Sequence, residues 1–245
     1  MRTVAGKVYL VGAGPGLVDM LTVRAHELIC TASCLLHDDL VGEEVLALAR
    51  PDAIVRHVGK RCGPKTITQE DINHWMIEYA RAGHSVVRLK SGDPLLFGRA
   101  VEEIGALRAA GVEFEIVPGI SSGVAAAALA GTPLTGRVSN SRVVFATRHL
   151  AAGETNGLRG IGPEGTLVLY MPGRNYAAIA GELVGNGWPE GTECHLASCL
   201  GTGGERRITC TLAELASVEV LQSPVVMLFF AQGERDTWTR KARAE

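Results

Sequence analysis

The sequence predicts an α/β protein of two domains, a parallel-sheet N-terminal domain and a mixed-sheet C-terminal domain. Three observations lead there. Up to about residue 120, short apolar runs alternate with amphipathic stretches that end at glycine, which is the pattern of parallel strands joined by right-handed helical crossovers. A small-residue helix over residues 121–130 and the segment Gly131-Thr-Pro-Leu-Thr-Gly-Arg137 then interrupt the alternation, so the boundary falls near 120–137 and the domains are residues 1–120 and 121–240. Beyond it strand candidates outnumber good helices, a balance that calls for a sheet with antiparallel members.

Lys7 to Val11 is an apolar run that ends in Gly12-Ala13-Gly14-Pro15-Gly16, and a helical pattern follows through Leu21, Ala25, Leu28, Ile29 and Ala32. This is not a dinucleotide fingerprint. Leu17 stands where the third glycine belongs, and Pro15 removes a backbone N–H that a pyrophosphate loop would use. The segment Asp19 to Thr22 delays the helix, so the glycines suit close backbone approach to something uncharged or flat. Cys34 to Leu36 is a second strand, ending at His37-Asp38-Asp39-Leu40-Val41. Neighbouring residues of a strand point to opposite faces, so at most one aspartate joins any given site, and a helix cap before Glu43 to Ala49 is an equal reading. Ile54 to Val58 is a third strand, followed by Gly59-Lys60-Arg61-Cys62-Gly63, either a solvated turn or a cationic lip for an anionic substrate.

Thr68 opens a capping-box signature, with Ile72, Trp75, Met76 and Tyr79 at helical spacing and Gly83 as the stop. The aromatic stripe reads as core. Ser85 to Lys90 is a strand that breaks at Ser91-Gly92-Asp93-Pro94, and helix resumes near Gly98 and runs from Arg99 to Ala110. A strand-to-helix loop of this kind is where an open α/β sheet holds a ligand, although Asp93 serves equally as the cap of the next helix. Phe114 to Val117 and Pro118-Gly119-Ile120-Ser121-Ser122 close this half. In the second half the strand candidates are residues 143–147, 166–171, 193–197, 207–211 and 225–230, with helices over 176–185 and 212–217.

Composition narrows the function classes. The chain has 245 residues, 47% hydrophobic and 20% charged, with a net charge of −2, which argues against a nucleic-acid or membrane-surface protein. No apolar run approaches the roughly 20 residues of a membrane helix, and the N-terminus enters a strand without a signal-peptide pattern. Cysteines at 30, 34, 62, 194, 199 and 210 form no Cys-x-x-Cys and have no histidine at zinc spacing, so the expectation is a cytoplasmic protein without a metal.

The order Lys90-x-Gly92-Asp93-Pro94-x-x-Phe97-Gly98-Arg99 is much rarer than a generic turn. It resembles the central loop of the tetrapyrrole (corrin/porphyrin) C-methyltransferases, and the likeness runs from about Val8 to Phe230 with its motifs in order. The resemblance implies an active site in the cleft between two α/β domains and a homodimer. It implies S-adenosylmethionine as methyl donor, with S-adenosylhomocysteine as product, and methylation of uroporphyrinogen III at two pyrrole carbons to give precorrin-2.

The resemblance also implies roles for residues. Asp38 falls on the family's acidic catalytic residue, with His37 and Asp39 where Tyr and Arg are usual, and Lys60 falls on its proposed proton donor. Pro15, Ser91, Gly92, Asp93, Leu96, Ser121, Ser122, Met171 and Leu200 fall on cofactor contacts, Ser91 standing where glycine is common. Arg99, His149 and Arg206 are the candidates for the substrate's carboxylates, arginine being suited to bidentate pairing. Ser198-Cys199 departs from the usual Glu-Asn, and Thr135-Gly136-Arg137 from Thr-His-Arg. Those departures keep two alternatives in view: a precorrin methyltransferase acting on another ring carbon, and a non-catalytic homologue that binds the cofactor or a tetrapyrrole. A nicotinamide-dependent oxidoreductase fails on the glycine spacing.

Overall fold

The computed structural model describes residues 6–59, 67–137, 140–148 and 158–230. The chain divides into two compact units, Met1–Ser122 and Gly123–Glu245.

The first unit runs β1 (Val8–Gly12), α1 (Val23–Thr31), β2 (Cys34–His37), α2 (Glu43–Leu46), β3 (Ile54–His57), α3 (Gln69–Arg81), β4 (Val86–Lys90), α4 (Ala100–Ala109) and β5 (Phe114–Val117). Its five strands lie in the order β3-β2-β4-β1-β5, and every pairing is parallel. The period of two along each strand divides the core between the two faces of the sheet. Val11, Leu35, Val87 and Leu89 pack with Ala25, Leu28 and Ile29 of α1 and Val45 of α2. Val8, Leu10, Cys34, Leu36 and Val86 pack with Ile72, Met76 and Ala80 of α3 and Leu107 of α4. A central strand with helices on both faces is expected to be apolar on both sides, which is why β1 reads as a continuous run, while β4 is interrupted by Arg88 and Lys90 on one face.

Helix boundaries follow local chemistry. Thr22 caps α1 by accepting from Ala25 N at 3.1 Å, and a short 3-10 turn over Val18–Met20 separates that helix from the glycine loop. At α3, Thr68 Oγ1 accepts from Asp71 N at 3.1 Å while the Asp71 carboxylate accepts from Thr68 N at 2.8 Å, a reciprocal capping box. Gly83 (φ +91°) and Gly111 (φ +65°) follow α3 and α4 in the left-handed region. Arg56 lies over the Trp75 ring at 3.9 Å, so that aromatic face is covered by protein.

The second unit carries α5 (Ser122–Leu129, beginning at the last residue of the first unit), β6 (Val143–Thr147), β7 (Thr166–Tyr170), α6 (Tyr176–Gly185), β8 (Glu193–Ser198), β9 (Arg206–Thr211) and β10 (Val225–Phe229). Its sheet has the order β6-β7-β10-β8-β9, parallel between β6 and β7 and antiparallel elsewhere. Leu167, Leu169, Ile179, Leu183, Met227 and Phe229 form its core around Trp188, whose indole Nε1 donates to Ile161 O at 2.8 Å. The helix expected over 212–217 is only a 3-10 turn, Leu215–Ser217. The start signal is present, since the Glu214 carboxylate accepts from Thr211 N and Thr211 Oγ1 at 2.8 Å in the manner of a capping box, but the chain is already extended at Val218 (φ −69°, ψ 133°) and Leu221 N donates to Tyr176 Oη at 3.2 Å. No helix among the described residues is long and apolar enough to cross a membrane.

Candidate functional site

The first unit's topology selects one edge of its sheet. Adjacent strands β1 and β4 send their connections in opposite directions, one toward β2 and the other toward β5. Right-handed crossovers therefore leave on opposite faces, which opens a crevice at the carboxyl ends of those strands. Both sequence-predicted loops lie there.

Glycine brings these loops together. Gly14 and Gly92 form an isolated bridge, with Gly92 N donating to Gly14 O at 2.7 Å and Gly14 N to Gly92 O at 3.3 Å. Ala13 N donates to Lys90 O at 2.8 Å and continues the ladder beyond β1 and β4. A Cβ on Gly12 would come within 2.6 Å of Gly119 Cα and of Gly92 O, and a Cβ on Gly119 within 2.2 Å of Gly92 O. Three backbones thus meet where no side chain fits. Asp93 fastens the arrangement: Oδ1 accepts from Leu95 N at 2.8 Å and Oδ2 from Gly119 N at 3.0 Å. The helix-cap reading of Asp93 is not realised, because the N-cap of α4 is Arg99 and carries no side-chain cap bond.

The two aspartates after β2 separate as the strand period requires. Asp38 Oδ1 accepts from Arg88 Nη2 at 2.5 Å, while Asp39 Oδ1 lies 2.5 Å from His57 Nε2. Neither caps α2, whose N-cap is Gly42. The His37 ring meets the His57 ring edge-on at 5.1 Å, and burial pushes the His37 imidazole below its ordinary pKa. Behind Asp38, Arg88 Nε donates to Glu103 Oε1 at 3.0 Å and Lys90 Nζ donates to the same oxygen at 3.0 Å. Burial first, and then the neighbouring guanidinium, push the Lys90 ammonium below its usual range.

The other predicted residues are placed as follows. Pro15 and Gly92 are buried, while Ser91, Asp93 and Leu96 are half-buried in the paired loops. Ser121 is buried beside Gly92, and Ser122 begins α5. Met171 and Leu200 belong to the second unit, one residue past β7 and two past β8. Arg99 pairs with Glu102 (Nε to Oε1 3.1 Å), and Arg206 Nη1 lies 3.4 Å from Glu219, both on the surface. Lys60 and His149 fall outside the described residues.

Backbone strain marks strand-end segments in each unit taken by itself. Phe97, Arg99, Met171 and Cys199 have φ between 47° and 56°, in the left-handed region that non-glycine residues avoid. Each lies in a segment leaving the carboxyl end of β4, β7 or β8, and such strain concentrates at functional sites. Sequence reasoning missed Arg88 and Glu103. The signal was present in Arg88 and Lys90, charged residues two apart in an otherwise apolar central strand, facing an acid on the following helix.

The donor set fits S-adenosylmethionine. The crevice offers peptide N–H and C=O groups of glycine loops together with the Asp93 carboxylate, whose oxygens keep free lone pairs, and these suit an adenine, a ribose and a sulfonium cation.

Residues 7–216 match the family described as Tetrapyrrole (Corrin/Porphyrin) Methylases. The chain is 40% identical over 224 residues to a uroporphyrinogen-III C-methyltransferase of Bacillus subtilis, covering 89% of this chain and 86% of that one. It is 40% identical over 228 residues to a siroheme synthase of Nitrosococcus oceani, covering 91% of this chain but 49% of the relative, so it spans about half of that longer protein. Among solved structures, the uroporphyrin-III C-methyltransferase of Thermus thermophilus complexed with S-adenosylhomocysteine superposes with a TM-score of 0.79 at 38% identity, over 92% of this chain and 97% of that one. The strand-end loops, the acid at the end of β2 and these likenesses lead to one conclusion: the chain belongs to the tetrapyrrole (corrin/porphyrin) methylases.

Proposed function

We propose that this protein is an S-adenosylmethionine-dependent C-methyltransferase that methylates uroporphyrinogen III at two pyrrole carbons and yields precorrin-2. The observation that supports it best is the meeting of the Gly12–Gly16 loop, the Ser91–Leu96 loop and Asp38 at one end of the parallel sheet. When bound, S-adenosylmethionine supplies an electrophilic methyl group and leaves as S-adenosylhomocysteine.

The protein's own task is to hold an electron-rich pyrrole carbon in line with that methyl group and to take away the proton displaced from the ring. Pro15, Ser91, Gly92, Leu96, Ser121 and Ser122 present backbone and small side chains to the cofactor, with Asp93 holding the loops in register. Asp38 is the base. Its side chain is 31% exposed, so a proton taken in the first methylation escapes to water before the second. Lys60 is the proton donor, Arg99, His149 and Arg206 meet carboxylates of the substrate, and Met171 and Leu200 contact the cofactor; these assignments rest on the resemblance alone. We extend the reading to a cytoplasmic homodimer.

The test is anaerobic incubation with S-adenosylmethionine and freshly generated uroporphyrinogen III, read by mass spectrometry. Two added methyl groups are expected. No added methyl, with cofactor binding intact by calorimetry, would transfer the reading to another precorrin substrate or to a non-catalytic homologue. Asp39, which stands where the family commonly has Arg and here lies against His57, keeps a different ring carbon in view together with Ser198-Cys199.

Asp93 gives a second test. Asp93→Ala leaves Gly119 N without its carboxylate, and a hydrogen bond to a charged group contributes about 1.5–3 kcal/mol. Affinity for S-adenosylmethionine is therefore expected to fall about tenfold, with kcat at saturating cofactor little changed. An unchanged dissociation constant would separate this tie from cofactor binding.

A further inference from the structure

The proposed chemistry uses Asp38 but assigns nothing to the charges behind it, although burying them opposes folding unless their geometry compensates. Glu103 is 0% exposed, Arg88 2% and Lys90 3%. Arg88 has every guanidinium nitrogen committed. Nε donates to Glu103 Oε1 at 3.0 Å, Nη1 to Leu89 O at 2.9 Å, and Nη2 to Asp38 Oδ1 at 2.5 Å. Lys90 Nζ lies 3.0 Å from both Glu103 oxygens, and Gln69 Nε2 reaches Oε1 at 3.5 Å. The root of this chain of contacts is thus rigid and dry. Its free end is a half-open carboxylate.

We propose that Arg88, locked by Glu103, is a positioning residue that fixes the orientation of the Asp38 carboxylate for proton removal. The proposal rests on the reading of Asp38 as the base. Period two puts Arg88 and Lys90 on the face of β4 covered by α4, where Glu103 occupies one helical position inside the first turn. One strand and one helix therefore set the angle of a side chain one residue past a third element, β2. A guanidinium suits that task, because its planar fork defines direction as well as charge. Stability alone is a poor account of the network, since buried ion pairs are commonly replaced by apolar groups without loss. By strand register Arg56 of β3 shares the face of Arg88 across Leu36, whereas His37 and His57 stand level with Leu89 on the other face of the sheet.

The experiment is a cycle of Arg88→Met and Asp38→Asn, with Arg88→Lys alongside, read as kcat, KM and cofactor affinity. Arg88→Met is expected to lower kcat about thirtyfold with KM and cofactor affinity within about twofold. Arg88→Lys keeps the charge and one donor, and is expected to recover part of the loss. In the Asp38→Asn background, Arg88→Met is expected to cost no more than about twofold.

Equal losses in both backgrounds, or no loss in either, would overturn the positioning role. Should Asp38→Asn have no measurable activity, the split decides: a loss shared equally by kcat and cofactor affinity, or no recovery in Arg88→Lys, overturns the proposal. Should Arg88→Met not fold, Arg88→Lys takes its place, and failure of both to fold makes Arg88 purely structural. Full activity of Asp38→Asn would instead remove the base itself, a separate result.

Discussion

Asp38→Asn is expected to lower kcat by about 10²- to 10⁴-fold, the usual contribution of a positioned general base, with affinity for S-adenosylmethionine within about twofold. Asparagine keeps the shape of the side chain and an oxygen that still accepts from Arg88, so the 2.5 Å contact at the end of β2 can be retained. What disappears is the capacity to take a proton. Methyl transfer to a pyrrole carbon leaves a ring proton to be removed, and water is a far weaker acceptor than a carboxylate held in place. Timed mass spectrometry of the methylated tetrapyrrole under anaerobic conditions gives kcat, and calorimetry gives the cofactor constant. Full turnover in Asp38→Asn would remove this role.

Gly12→Ala is the largest expected effect on the scaffold. The added methyl would stand 2.6 Å from Gly119 Cα, Gly119 N and Gly92 O, and all three are backbone atoms that cannot turn aside as a side chain would. Overpacking of this kind costs about 1–3 kcal/mol, which for a protein of this size lowers the melting temperature by roughly 2–12 °C. The same displacement would part the loops that carry Gly14 and Gly92, so cofactor affinity is expected to fall at least tenfold, beyond the effect of losing Asp93 alone. Thermal unfolding and titration of the same sample check both. Unchanged melting and affinity would show that the three backbones have room to spare.

Much of this architecture is legible in the residues themselves, for local reasons. The apolar run at Val8–Gly12, the capping box at Thr68 and the glycines after α3 and α4 act over a few residues, and each governs a nearby element. The delay of α1 follows from Asp19 to Thr22, because Thr22 is the N-cap. Partners far apart in the chain are less legible. Nothing around Asp93 indicates that its carboxylate accepts from Gly119, 26 residues onward. Nothing in His37-Asp38-Asp39 indicates that one acid meets Arg88 and the other His57, since that depends on strand order and not on sequence neighbours. The buried Glu103 looked like an ordinary acid in the first turn of a helix until α4 was laid over β4. The turn at Leu215–Ser217 escaped because Val218 leaves the helical region and Leu221 N is held by Tyr176 Oη, 45 residues away in the chain.

The reciprocal pair between Gly14 and Gly92 has a dynamic consequence. Both hydrogen bonds of that bridge join the same two residues, so neither amide can be released to solvent while the other remains fully engaged. Segments 78 residues apart in sequence therefore breathe as one unit of local opening. Their amides should exchange with deuterium at matched rates, and a molecule seated on either loop would slow both together.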